Sequence, residues 1–392
     1  MRFCVKRLVV LLTCLAMTAA CAASEAGGSC HATTPAVKNS AVDVPNYAAQ
    51  ANDAPDPQAE ATQRAWSRYQ DSMIAMLKAS PDPRDWALAS FGFSMGSPID
   101  DDHASLARAV KAAPDDPLVL WMAISVYKKA RDTSNVDNLI DKLQQAEPDN
   151  AAVWLESLQR SAINRDRAGV TAALKRMSAT SHFDNHLAEM NKLVVAAFER
   201  LPIPDDTFEA IPAEARPSRE LMPLIYGTAM ANAVALPAFQ YVVNACRLDA
   251  SGRNADRVAD CDLVGHLMKS NSDTQIGTSI GFAVLRVSQT FTDDDVREAR
   301  NLDWIYEQWN QHATKQFDEH LAVIDPNVGK EIVERENDWL ESGSEVESMR
   351  QALRRANIAL IAPDDWVDKS PRFSQEQMTT DATYLTDHAI AY

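Results

Sequence analysis

Strand signals are nearly absent from these 392 residues. No alternating run of Val, Ile and Thr is bounded by Asn-Gly or Gly-Gly, so a sheet built from tight hairpins has nothing to start from. No Walker-type glycine loop is present, which removes that class of nucleotide site. Positive charge is short, with 38 Lys+Arg against 55 Asp+Glu and a net charge of −17. That deficit argues against a nucleic-acid backbone or an anionic lipid surface as partner, because both demand basic patches. Acidity on this scale favours solubility and names no partner. Cysteine is scarce too: after Cys30 only Cys246 and Cys261 occur, and the Cys-x-x-Cys spacing of redox dithiols is missing. Beyond the N-terminal run, no segment is long and apolar enough to span a bilayer.

Helical spacing, by contrast, is frequent, and 46% of the chain is hydrophobic. From Arg64 to Ala79, Trp66, Tyr69, Met73, Ile74 and Leu77 fall on one helical face. Pro114 and Pro148 stand 34 residues apart inside the matching phrases Ala113-Pro114-Asp115-Asp116 and Glu147-Pro148-Asp149-Asn150. Three units can be laid out on that period, 83–116, 117–150 and 151–184. Trp86, Leu120 and Trp154 share the fourth position. In the second helix of each unit Leu106, Ile140 and Leu174 share one position, and Ala109, Leu143 and Met177 another three residues later, a buried stripe at helical spacing. The prolines close two units because proline cannot continue a helix.

With Tyr127 and these closing prolines, the region resembles the tetratricopeptide repeat family in degenerate form. The small residues that family expects at its eighth and twentieth positions are mostly replaced, by Ile124, Leu158, Asp102, Val136 and Val170, and His182 stands where a third proline would fall. The resemblance implies stacked helical hairpins that present a surface to a protein or peptide. The other reading is an ordinary helical bundle with a chance spacing. Either way the fold class expected is all-α, with stacked helical hairpins over 61–200 and a C-terminal helical domain over 219–365. The proline-rich stretch 201–218 lies between them, and a polar tail covers 366–392.

In the C-terminal half, Cys246 and Cys261 are expected to pair across a helical hairpin, closing a loop of about 15 residues. Gly277 and Gly281, four apart, suggest close helix packing. Thr292 before Asp293, Asp294 and Asp295 reads as a helix cap with acids at the positive helix end, in preference to a metal site. Ser344-Glu345-Val346-Glu347 reads as a capping box. Leu302, Trp304, Ile305, Tyr306 and Trp309 read as core.

At the other end, Arg2, Lys6 and Arg7 precede an apolar run from Leu8 to Met17 and then small residues, the layout of a secretory signal peptide over 1–20. Thr18-Ala19-Ala20-Cys21 resembles the bacterial lipobox, which implies lipidation of Cys21; ordinary cleavage after Ala20 or Ala22 is the alternative. Cleavage before Cys21 would remove three positive charges and no acid, taking the net charge from −17 to −20. Residues 21–60, rich in Ala, Ser, Asn, Asp and Pro, read as a flexible tether. The chain is therefore expected in the periplasm or lipid-anchored in the cell envelope, with no other membrane contact and no nucleic-acid partner.

Catalytic patterns lack their context. Gly92-Phe93-Ser94-Met95-Gly96 fits the nucleophile elbow, but the turn that aims such a serine needs a central sheet. Ser125 and Lys128 form a Ser-x-x-Lys without its companion motifs. His182 and His186, four apart near Glu189, lack the acid that zinc proteases place after the first histidine, and read as a surface or interface pair. His266, five residues after Cys261, and the widely spaced His312 and His320 form no ligand set. No catalytic, cofactor or metal residue is expected. The function expected is a non-enzymatic protein- or peptide-binding module; the alternative is an envelope enzyme, either a hydrolase using Ser94 or one with a site in the C-terminal half.

Overall fold

Proline and Asx side chains decide where the repeat helices begin. The computed structural model describes residues 57–91, 103–129, 135–211, 216, 218, 219, 221–224, 239–248, 252, 254–319 and 326–367. Among them the chain is all-α, and extended backbone pairs only in two isolated bridges, Asn150–His182 and Phe183–Ser272. The chain divides into two compact units, Met1–Ser72 with Ile203–Arg216 and Met73–Pro202 with Pro217–Tyr392.

In the first unit, the N-terminal part of α1 (Pro57–Ala79) meets α9 (Asp205–Glu209) and the turn after it. Thr62 Oγ1 donates to Ala210 O at 2.6 Å, and Arg68 pairs with Asp206 at 3.8 Å. Arg216 donates to the Ile211 carbonyl and lies over the Phe208 ring. The expected helical face of α1 is present: Tyr69, Met73 and Leu77 are buried.

The second unit contains three helical hairpins: α2 (Pro83–Phe91) with α3 (His103–Ala112), α4 (Pro117–Lys129) with α5 (Val136–Ala146), and a 3-10 turn (Ala151–Trp154) leading into α6 (Leu155–Ile163) with α7 (Arg167–Ser178). Their starts at Pro83, Pro117 and Ala151 keep the 34-residue period. Proline suits the first helical position because its missing N–H would have no partner there and its φ is already helical. Just outside each start an Asx side chain accepts a backbone N–H: Asp82 from Arg84 at 2.9 Å, Asp116 from Val119 at 3.2 Å, and Asn150 from Ala152 at 3.0 Å. A fourth, Asp184, accepts from His186 at 2.7 Å just before α8 (Leu187–Arg200). The expected stripe is buried at all six positions, Leu106, Ala109, Ile140, Leu143, Leu174 and Met177.

The first two hairpins share one core with Leu187, Ala188 and Met190 of α8 and with Trp339 of α14 (Pro326–Ser342). The third hairpin turns its stripe elsewhere. Leu158, Leu174, Met177 and Phe183 pack with α10 (Gln240–Cys246), α11 (Val258–Asn271) and α12 (Gln275–Val287). The regions 61–200 and 219–365, expected as successive domains, therefore share a core. Glycine permits the α11–α12 approach: a Cβ on Gly281 would collide with the Lys269 backbone nitrogen and come 2.8 Å from Gly265 O. Beyond them, Phe282 of α12 packs with Ala299 and Leu302 of α13 (Asp293–Glu319) and Val346 of α15 (Glu345–Arg355), and Ile305 packs with Met349 and Leu353.

Candidate functional site

The sequence candidates scatter. Cys21, Ser94 and His320 lie outside the described residues. Cys246 and Cys261 stand at disulfide distance, S–S 2.07 Å, both buried in the second core. Thr292 and Asp295 form a reciprocal cap, Thr292 N–H donating to Asp295 Oδ2 at 2.8 Å and Asp295 N–H to Thr292 Oγ1 at 3.3 Å. Burial works against charge on Asp295, but the Lys269 ammonium at 2.7 Å and the Thr292 donors outweigh it and hold the carboxyl down at about 2. At Ser344 only half of the expected box forms: its Oγ accepts the Glu347 N–H at 3.3 Å, while the Ser344 N–H donates to Ser342 Oγ and the Glu347 carboxylate turns to Arg354. His266 Nε2 lies 3.5 Å from Asp262 Oδ1, one turn earlier on the same helix. Lys128 is bound to Glu156 across the hairpin junction at 2.6 Å, so it does not serve Ser125 as a base.

The histidine pair needs correction. His182 and His186 do not share a helical face, because the chain from Ser181 to Asn185 runs extended through the two bridges and α8 begins only at Leu187. His186 adopts a left-handed conformation, φ 60°, and is 4% exposed, so it is not a surface residue. Its Nε2 lies 2.8 Å from Glu147 Oε2. Its Nδ1 lies 3.4 Å from Glu189 Oε2, an electrostatic contact without hydrogen-bond geometry. Burial disfavours a charged ring, but the two carboxylates prevail and hold the imidazole up at about 10. Glu147 is buried against its charge as well, yet the His186 bond keeps it below the usual glutamate range. Glu189 is lowered by His186 and by Arg84, which bridges to it at 2.7 Å and to Asp116 at 2.7 Å. The carboxylates on both sides favour the charged form of the ring.

Asn150, fully buried, ties this group to the repeat turns. Its Nδ2 donates to Glu147 Oε2 at 3.0 Å and to Asp184 O at 2.9 Å, while its Oδ1 accepts from Asp184 N–H at 3.0 Å. On the other side, Asn185 Nδ2 donates to Asp273 Oδ1 at 2.9 Å, and Glu345 N–H donates to the Asp273 carbonyl at 2.9 Å. Burial and the neighbouring Asp184 charge push the Asp273 carboxyl up to about 7, against the opposing help of Asn185 and His186. Asn185 Oδ1 and Asp273 Oδ2 are buried and have no hydrogen-bond partner among the described residues.

Asp184, Asn185 and His186 also line a cavity of about 40 Å³ where the second and third hairpins meet. Trp121, Ile124 and Leu143 wall one side and Val153 and Leu155 another, with Ser125 and Glu156 as polar lining. Among the described residues no cluster of three or more His, Cys, Asp or Glu could hold a metal, and no helix is long and apolar enough to cross a membrane. Sequence reasoning missed Glu147, Asn150, Asp184, Asn185 and Asp273. The signal for two of them was present: Asp82, Asp116, Asn150 and Asp184 recur every 34 residues.

No protein-family model matches the chain, no curated protein matches it, and no solved structure does.

Proposed function

We propose that this protein is a non-enzymatic binding module of the bacterial cell envelope. In this reading it is a degenerate tetratricopeptide-like array, exported by its N-terminal segment, and takes a protein or peptide partner where the hairpins meet. The observation that carries the reading is the register. Helix starts, Asx caps and a buried stripe all repeat at 34 residues, an arrangement whose general use is to display a surface.

A photo-crosslinking residue placed at Lys128, on the exposed rim beside the cavity, tests the reading in intact cells. A discrete adduct with one protein or peptide, lost when the crosslinker is moved to exposed Asp82, is the expected outcome. Absence of any adduct, together with turnover of a small molecule by the purified protein, would establish the enzyme reading instead. The export half has its own test. Cys21→Ser should shift the protein from membrane to soluble fractions and abolish acylation, whereas ordinary cleavage after Ala20 or Ala22 would leave fractionation unchanged.

A further inference from the structure

We propose that the face of α13 formed by Arg300, Asn301, Trp304 and Glu307 is a docking site for a partner segment that folds as a proline turn ending in tryptophan, and that residues 361–367 of this chain fill it as a resident strap. The site shares no residue with the hairpin junction and does not depend on a partner binding there.

Helical spacing builds the face. Arg300, Trp304 and Glu307 follow one another at intervals of four and three, with Asn301 beside Arg300, so they line one side of α13. Ile305 turns instead into the core, against Met349 and Leu353 of α15. After α15 the chain reverses at Asn357, φ 56°, and Ile358 and Leu360 join that core as anchors. Beyond Leu360 the contacts change in kind. Arg300 donates to the carbonyls of Ala362 at 3.3 Å, Asp364 at 3.4 Å and Trp366 at 2.9 Å, and to that of Pro363. Asn301 Oδ1 accepts the Ala362 N–H at 3.1 Å, and the Trp366 N–H donates to the Pro363 carbonyl at 3.0 Å, closing a turn.

Two features set this apart from packing. The first is what is read. Arg300 and Asn301 take main-chain atoms, which any sequence carries, and Asp364 and Asp365 are exposed. Trp366 alone is chosen by its side chain. Its Nε1 donates to Glu307 Oε2 at 2.9 Å, its ring meets Trp304 edge-on with centroids 5.6 Å apart, and the Arg300 guanidinium lies 5.3 Å from its centre. Tryptophan and arginine contacts of this kind anchor interfaces between proteins. The second feature is how lightly the strap is held. Ile361 and Val367 are 72% and 75% exposed, and Ala362 is the one buried residue of the strap. Hydrogen bonds at a surface are exchanged with water for little net gain, so the strap opens at far lower cost than α13 or α15 unfolds. Opening it frees the Arg300 donors and the Trp304 edge for another segment of the same form.

Fluorescence anisotropy of the full chain with a labelled, capped Ile-Ala-Pro-Asp-Asp-Trp-Val peptide, the sequence of residues 361–367, tests the proposal. A strap tethered beside its site competes at high effective concentration, so Trp366→Ala, which weakens the strap, should bind the probe about tenfold or more tightly than the unsubstituted protein. Adding Arg300→Ala should remove that gain, and so should alanine for tryptophan in the probe, whereas serine for both probe aspartates should change little. Equal binding by the unsubstituted protein and Trp366→Ala, or of the tryptophan and alanine probes, would overturn the docking site. If Trp366→Ala does not fold, hydrogen exchange of the unsubstituted protein decides: the Ala362 and Trp366 amides should exchange well before those of α15, and exchange of all three at one rate would overturn the strap. Concentration-dependent dimers that Arg300→Ala abolishes would assign the site to a second copy and overturn the partner. Crosslinking from Lys128 reads the hairpin junction, so failure there leaves this site standing and failure here leaves that one.

Discussion

His186 and Asp273 lie on either side of Asn185, and burial acts on both in the same sense, against charge. His186 overcomes it because two carboxylates reach it; Asp273 does not, because its nearest charged neighbours are Asp184 and His186 of opposite effect and one of its oxygens has no donor among the described residues. The pH dependence follows from these directions. The Asp273 carboxyl, at about 7 in the folded protein against 3.8 unfolded, contributes fully below about pH 4, and that contribution is lost as pH rises through 7. Asp273→Asn keeps the shape and removes the charge. It should therefore stabilise the protein on the order of 2–4 kcal/mol at pH 8 and by about 1 kcal/mol or less at about pH 4.5, measured by urea unfolding at both pH values; an equal gain at the two would show that another group titrates. His186, raised from 6.5 to about 10, contributes fully below 6.5, and its contribution fades as pH rises through 10. His186→Gln removes the cation beside half-buried Glu147, which keeps the Asn150 donor, while Glu189 keeps Arg84, so a loss of about 1–3 kcal/mol is expected at pH 7 and a smaller one at about pH 10.5, followed in the same unfolding assay.

Among the elements, the helix starts differ in how much hangs on each cap. Asp82 is exposed and caps one N–H, whereas Asn150 is fully buried and serves Ala152, Glu147 and both backbone groups of Asp184. Asp82→Ala should cost about 1 kcal/mol, and Asn150→Ala at least about 2 kcal/mol because it leaves buried backbone groups unpaired. Paired denaturation curves would reveal any reversal of that order. The helices themselves are legible in the sequence: periodicity marks the stripe of Leu106, Ile140 and Leu174, and Pro114 and Pro148 follow the ends of α3 and α5. The approach to α8 is not. A four-residue separation places His182 and His186 on one helical face only if the segment is helical, and Ser181 to Asn185 instead pair with Asp149–Ala151 and Asn271–Asp273 through hydrogen bonds. No local pattern encodes a partner about 90 residues away.

Across the second unit, the core that holds Cys246 and Cys261 joins the third hairpin to α10, α11 and α12. A disulfide closing 15 residues at that position constrains the unfolded chain by roughly 3 kcal/mol. Reduction, or Cys246→Ala with Cys261→Ala, should lower unfolding stability by about 2–4 kcal/mol. Because the core is shared, helices 155–178 and 240–287 should lose hydrogen-exchange protection together; separate losses would mean the two regions fold apart. The amino-acid sequence by itself determined the helical class, the 34-residue period, the Thr292 cap and the cysteine pairing, since each depends on residues close in the chain or on a short list of candidates. Only the tertiary structure decided that the third hairpin buries its stripe against the C-terminal helices and that Glu147, Glu189 and Asp184 converge on His186. It also decided that Asn185 meets both Asp273 and a cavity. Charge and burial act through space, and a side chain's environment is set by which distant segments fold around it.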